Sequence, residues 1–288
     1  MRVHAHLGKE HYERVRAAVT TGSAASFDAA PEAREQDIVN RQLYWSPAAT
    51  RWYREQGLSL AETAALLKYQ PAFSGRDVLD IGVGLGRTTT FLAPLAHRYV
   101  GIDYSPVMVE QLRKIMPDVA LEQADMRDLS LFKAGEFDFV LGACNVIDAV
   151  SHEDRLRTLA QVHRTLRDKG LFVFTSHNRS DPSALAGPEL GRSSNPIAQT
   201  KHLLSYRRSL RNHAKVSRLR RFETEYALLN DVAHEWSLLH YYIDRTNQAR
   251  QLERSGFRLL DVFSASGKSL GESGDKQSSC LLYVAERA

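Results

Sequence analysis

The sequence predicts an α/β fold built on a doubly wound, mostly parallel sheet of seven strands, and three observations carry that prediction. Between residues 76 and 178 short apolar runs alternate with helix-like segments, the mark of a parallel sheet covered on both faces. The stretch VLDIGVGLGRTTTF (78–91) runs from an apolar strand through three alternate glycines toward a helix, an arrangement that lets backbone approach a ligand. The chain then closes on a helix, a strand, a polar loop and a last strand over residues 244–285.

Taken in order, residues 1–73 read as a helical cap. Ser59 and Glu62 are spaced as a capping box before Leu66 and Leu67, and Tyr44, Trp45, Trp52 and Tyr53 cluster upstream. The core, 74–178, has strands over Asp77–Ile81, Tyr99–Asp103, Val119–Ala124, Phe137–Ala143 and Leu171–Ser176. Ser105 followed by Pro106 predicts a helix start, with Val109, Leu112 and Ile115 at helical spacing. Ser151 and Asp154 resemble a second capping box; Leu156, Leu159 and Leu166 share a face, and Gly170 stands where a C-terminal cap belongs.

A lid is inserted over 179–241. It opens with the Ser-, Gly- and Pro-rich loop 180–196 and continues through the run 201–221, which holds eight basic residues and no acid. Strands Phe222–Leu229 and Glu235–Ile243 then flank Asn230-Asp231 as a hairpin. Residues 242–288 return to the core: helix Asp244–Arg254 closed by Gly256, strand Phe257–Phe263, polar loop 264–279 and strand Cys280–Ala285.

Composition narrows the class. At 288 residues and 43% hydrophobic content the chain can bury one large core with an appended lid. Two cysteines are too few for a disulfide framework or a zinc site, and both read as small buried apolar groups in a reducing compartment. No apolar stretch reaches the roughly 20 residues of a membrane span, and the N-terminus is polar where a secretory signal is apolar, so a cytoplasmic location without membrane attachment is expected. The net charge of +4 is too mild by itself to indicate nucleic acid.

The glycine turn reads G-x-G-x-G, whereas a dinucleotide fold wants G-x-G-x-x-G. Asp80 lies two residues ahead of the first glycine, where a carboxylate is unwelcome beside a diphosphate and suited to a cationic ligand. The ordered set D80-I-G-V-G-L-G86, G101-I-D-Y-S105, Q123-A-D-M-R127 and F137-D-F-V-L-G-A-C-N145 resembles the class I S-adenosylmethionine-dependent methyltransferases, which have a Rossmann-like fold. The resemblance covers about residues 74–178, and the tail from Tyr242 resembles the family's closing helix and antiparallel strand pair.

The resemblance implies S-adenosylmethionine as cofactor, with Asp80, Gly82, Gly84 and Gly86 forming the turn against it. Asp103 would accept hydrogen bonds from the ribose hydroxyls, and Tyr104 would pack on the adenine face. Asp125 would hold the adenine amino group and Met126 a ring nitrogen through its backbone. Asn145 would face the methionine end and the acceptor.

Methyl transfer from a sulfonium needs alignment first and a base second. His177 leaves the fifth strand at the sheet's carboxyl edge and is the preferred base; Asp148 is a candidate to orient an amine or hydroxyl. Asn178 is placed near the methyl, and strand alternation puts His240 and Tyr242 on one face of the lid as a pocket wall. Arg207, Arg208 and Arg211 of the basic run suit an anionic metabolite. No metal-site residues are recognisable, and metal-independent chemistry is expected.

The leading reading is therefore methylation of oxygen or nitrogen on a small, anionic metabolite. The first rival is an RNA or DNA methyltransferase using the basic run, disfavoured because interleaved aromatics are few and no Asn/Asp-Pro-Pro-Tyr motif follows strand four. The second is a module that binds the cofactor without turnover.

Overall fold

Strand β1 (Asp77–Ile81) is buried along nearly its whole length, as a central parallel strand must be when helices cover both faces. The computed structural model describes residues 31–45, 57–271 and 277–288, with side chains from residue 36 onward; Trp52 and Tyr53 lie outside these. β1 pairs in parallel with β2 (Arg98–Asp103) on one side and β4 (Phe137–Gly142) on the other. Beyond β2 lies β3 (Leu121–Gln123), and beyond β4 lies β5 (Leu166–Asn178), both also parallel. β10 (Cys280–Arg287) runs antiparallel between β5 and β9 (Phe257–Phe263).

Alternation along the strands builds two apolar layers. On one face Leu79, Ile81, Phe172 and Phe174 pack with Leu159 and Val162 of α5 (His152–Thr165) and Leu252 of α7 (Arg245–Arg254). On the other, Val78, Phe139, Leu171 and Val173 meet Ala61, Ala65 and Leu66 of α2 (Leu60–Lys68) and Leu92 of α3 (Thr89–Leu92). The caps follow the sequence in part. Ser59 and Glu62 complete a reciprocal capping box on α2, and Ser105 caps α4 (Pro106–Ile115) at Met108 N. At α5, Ser151 accepts from Asp154 N, but the Asp154 carboxylate turns to Arg127 and Arg157 instead of closing the box.

Four expectations are corrected. The sheet has ten strands, because β6 (Arg221–Phe222), β7 (Tyr226–Leu229) and β8 (His240–Ile243) of the inserted segment join it through β8 beside β5, at His177↔Tyr242 and Asn178↔Ile243. The strand predicted from Glu235 begins only at His240. His234, Glu235 and Trp236 have positive φ, which no extended strand allows, and the turn they make is held on α6 (Pro196–Val216) by Ser205 and Arg208 donating to Glu235. Gly170 does not cap α5: the helix ends at Thr165 because Leu166 is already paired with Phe137 in the sheet. Cys144 is exposed, since it sits in a left-handed turn (φ 54°) at the end of β4 and not in the core.

Candidate functional site

The glycine turn leaves β1 with Gly82, Gly84 and Gly86 all at positive φ. A Cβ at Gly82 would lie 2.4 Å from Val146 Cγ2, so the turn and the loop after β4 touch only because that atom is missing. Gly84 has nothing within 4 Å of a built Cβ and opens onto a cleft. Its amide donates to Asp103 Oδ2 at 2.9 Å, while Asp103 Oδ1 accepts from Ser105 N at 2.8 Å. Burial raises the Asp103 carboxyl to about 6.

Two turn residues face elsewhere. Asp80 Oδ2 accepts from Thr88 Oγ1 (2.6 Å) and Tyr99 OH (2.8 Å), and neither Asp80 nor Gly86 lines the cleft. Asp80 instead ties β1 to β2 and the helix beyond, and Gly86 gives room to Leu112. Burial raises the Asp80 carboxyl to about 6, above an ordinary value of 3.8. A raised carboxyl is stabilising while protonated, so this contribution is present below pH ~4 and lost as pH rises through about 6. Urea unfolding of Asp80→Asn should therefore show a flatter fall in stability than wild type between pH 4 and 6, by up to about 3 kcal/mol; superimposable pH curves would contradict the assignment.

The opposite wall is held by ion pairs. Asp125 Oδ1 accepts from Arg127 N and Nε, and Oδ2 from Arg127 Nη2 (2.6 Å) and Arg41 Nη2 (2.9 Å). Arg41 belongs to α1 (Pro31–Tyr44) and lies 5.2 Å from the Tyr104 ring centroid. Asn40 anchors α1 over the cleft, donating to Ala149 O and Leu239 O and accepting from Leu239 N. Met126, Tyr104, Ile102 and Val150 supply apolar lining.

These residues fit S-adenosylmethionine. Each Asp103 oxygen accepts one backbone N–H, which leaves each a lone pair for a ribose hydroxyl. Gly84 leaves the backbone bare, and the lining beside Tyr104 and Met126 suits an apolar ring. Asn145, predicted to face the methionine end, does not line the cleft, although its neighbours Cys144 and Val146 do; with φ 56° it holds its turn by donating from N to Thr175 Oγ1 at 2.6 Å. Its Oδ1 is buried without a hydrogen-bond partner among the described residues.

Beyond the Cys144–Val146 wall the chain assembles a polar cluster. Asp148 is fully buried, accepting at Oδ1 from Arg155 and Ser176 Oγ and at Oδ2 from His177 N and Nδ1, both at 2.7 Å. Burial alone would raise its carboxyl; Arg155 and His177 outweigh it and hold it below the usual range. An ionised Asp148 can only accept, so Nδ1 of His177 donates to it, and in the neutral imidazole the lone pair then lies on Nε2. Nε2 lies 3.2 Å from Asn145 Nδ2 and 3.7 Å from Asp231 Oδ2.

The structure thus gathers Asn145, Asp148, His177, His240 and Tyr242 in one place. Asn178 is buried and donates to Ser278 O, bracing the loops and not facing the cluster. Arg207, Arg208 and Arg211 lie on the exposed side of α6, Arg208 paired with Glu235, and none lines the cleft; the physical argument they offered for an anionic acceptor is thereby removed. The arginines that do line it, Arg41, Arg87 and Arg127, are paired with Asp125, Glu62 and Asp154 among others. Sequence reading missed Asp231, which looked like a turn residue, and Arg155, whose helix gave no sign that it points inward.

His177, Asp231 and His240 hold their donor atoms within 4.8 Å of one another, a spacing a cation could use. The two rings, however, stack at 4.8 Å and 18°, which directs their in-plane lone pairs side by side instead of at one point. Asp231 Oδ2 is also already taken by His240 Nδ1 (2.8 Å) and Tyr242 OH (2.7 Å). Hydrogen bonding accounts for the set.

Comparison with known proteins agrees with this geometry. The family described as a methyltransferase domain matches residues 78–170. The chain is 31% identical over 189 residues to a dimethylglycine N-methyltransferase of Parasynechococcus marenigrum, covering 64% of this chain and 63% of that one. A trans-aconitate 2-methyltransferase of Enterobacter is 37% identical over 87 residues, 29% of this chain and 33% of that one. These matches span less than two thirds of either relative's length. The solved 1,6-didemethyltoxoflavin-N1-methyltransferase of Burkholderia thailandensis superposes with a TM-score of 0.57 at 15% identity, over 92% of this chain and 93% of that one, and shows the same fold. Among the described residues no helix is long and apolar enough to cross a membrane. Residues 78–170 carry a methyltransferase domain, and with its mostly parallel sheet and the cleft at the glycine turn the chain is similar to the class I S-adenosylmethionine-dependent methyltransferases.

Proposed function

We propose that this chain transfers a methyl group from S-adenosylmethionine to a nitrogen or oxygen of a small molecule, with His177 as the base. The observation that carries the reading is the Asp148–His177–Asn145 constellation, joined to the cofactor cleft through Asn145, whose neighbours Cys144 and Val146 line it. When bound, the cofactor supplies a methyl on a sulfonium whose sulfur departs as a neutral thioether. Asp103 and the Gly82–Gly84 backbone would hold the ribose and methionine portions, and Met126 with Tyr104 would border the adenine; Asp125, whose two oxygens each accept two N–H bonds from Arg127 and Arg41, would have to release one of them to reach the adenine amino group. Asn145 would fix the distance between acceptor and methyl, and such alignment is worth about 7–11 kcal/mol. His177 Nε2 would take the proton released by the acceptor, while Asp148 keeps the imidazole in the tautomer that can do so. That the relatives above methylate nitrogen or a carboxylic acid, by their names, supports a small acceptor.

The test is incubation with methyl-labelled cofactor and a cell extract divided by size. Label is expected in the small-molecule fraction. Label in RNA, with binding that falls steeply as salt is added, would establish the nucleic-acid reading instead. Cofactor binding with no label in any fraction would overturn catalysis altogether.

A further inference from the structure

We propose that Asp231, delivered by the β7–β8 hairpin, is a second acid acting on His177: a positioning residue that stabilises the imidazolium formed when the base takes the acceptor's proton. The inference rests on His177 being the base, and it concerns the nitrogen that Asp148 does not hold.

Asp231 comes from the long connection between β7 and β8, and β8 pairs with β5 at His177 itself. Register therefore brings the hairpin to the base. Asp231 is held there on both oxygens: Oδ1 accepts from Ala233 N at 2.8 Å, and Oδ2 from His240 Nδ1 and Tyr242 OH. Burial opposes its charge, yet His240 outweighs that and holds the carboxyl far below the usual range. Reciprocally, Asp231 raises His240 against the burial that lowers it. Asp231 therefore favours the proton-bearing form of His240, while its own Oδ2 stands 3.7 Å from His177 Nε2 and the His240 ring stacks on the His177 ring.

The other groups around His177 come from several elements. From the turn after β4 come Asn145 and Asp148, from α5 Arg155, and from β5 Ser176. From the hairpin come Asp231, His240 and Tyr242, with His234 and Arg220 behind them. From β10 comes Cys280, opposite His177 in the ladder, its thiol pushed up to about 12 by burial and so neutral. Asp148 and Arg155 compensate each other. Asp231 is the carboxylate that stands across from Nε2, at 3.7 Å, with His240 offsetting part of its charge.

In the transfer step the acceptor's lone pair forms the bond to the methyl carbon, the carbon–sulfur bond breaks with its electrons going to sulfur, and the acceptor's proton goes to Nε2. The imidazolium so formed lies between Asp148 on Nδ1 and Asp231 across Nε2. Before proton transfer the same carboxylate faces a lone pair, so its interaction favours the proton-bearing form selectively.

The experiment is a pH titration of the His177 imidazole by NMR in the full chain, alongside the pH profile of kcat/KM, in wild type, Asp231→Asn and His240→Gln. Asp231→Asn is expected to move the His177 midpoint and the acid limb of the profile to lower pH, by about half to one unit, because the near charge is lost. His240→Gln keeps a hydrogen-bond donor for Asp231 and removes its counter-charge, so it should move both to higher pH. Shifts of opposite sign cannot come from a merely structural role. A midpoint within about 0.2 units of wild type in both variants, or movement in the same direction, overturns the proposal. Should Asp231→Asn fail to fold by circular dichroism, the sign of the His240→Gln shift decides alone. The NMR readout needs no turnover: methyl transfer can be absent while the shifts appear, and the shifts can be absent while methyl transfer persists.

Discussion

Replacing His177 with alanine is expected to lower turnover by about 10²–10⁴-fold, the usual worth of a positioned general base, while leaving cofactor affinity unchanged. The separation follows from geometry: His177 does not line the cofactor cleft, and its bonds run to Asp148 and Asn145, on the far side of the Cys144–Val146 wall. The ring also stacks between His240 and Tyr242, so His177→Gln is the companion variant that retains bulk. Steady-state kinetics with calorimetric titration of the cofactor check both halves. A fully active His177→Gln enzyme would remove the base, and weakened cofactor binding with intact turnover would move His177 into the cofactor site.

Asp148→Ala should destabilise the protein by about 3–5 kcal/mol, the cost of leaving a buried charge without its partner. Asp148 and Arg155 are both fully buried. The Arg155 guanidinium also donates to Ile147 O, Ser176 Oγ, Gln248 Oε1 and Gln251 Oε1, and it stands 4.4 Å from the Tyr241 ring centroid. Those acceptors are neutral and cannot replace the carboxylate. Against a typical stability of about 5–15 kcal/mol the loss is large, and it should appear in urea unfolding at pH 7. Asp148→Ala with Arg155→Met should recover part of it, since the uncompensated charge is then gone. A loss below about 1 kcal/mol in the single variant would mean that water reaches Arg155. Because the Asp148 carboxyl is held low, its contribution is present above the unfolded value near 3.8 and lost as pH falls through the folded one.

How much of this was legible differs by residue. Strand β1 and the glycine turn are local: an apolar run, three glycines and a capped helix read the same in sequence and in space. Alternation along HYYI correctly placed His240 and Tyr242 on one face, since Tyr241 turns instead toward Gln251 and Arg155. Asp80 misled for a physical reason. Two residues before a ligand turn is also where a central strand is most buried, and its carboxylate is consumed by Thr88 and Tyr99. The basic run misled similarly, because charge density along a chain says nothing of which way a helix faces, and α6 turns Arg207 and Arg211 to solvent.

Short-range pattern was enough for the sheet's parallel core, the glycine turn with Asp103 after β2, and the candidates Asn145, Asp148 and His177, since each follows from periodicity or from its place at a strand end. Long-range packing is what brings Asp148 onto His177 Nδ1, Arg155 onto Asp148, and Asp231, 54 positions further along the chain, to 3.7 Å from Nε2. Those assignments depend on hydrogen-bond geometry and on β8 pairing with β5, and pairing between strands so far apart leaves no local trace in the order of residues.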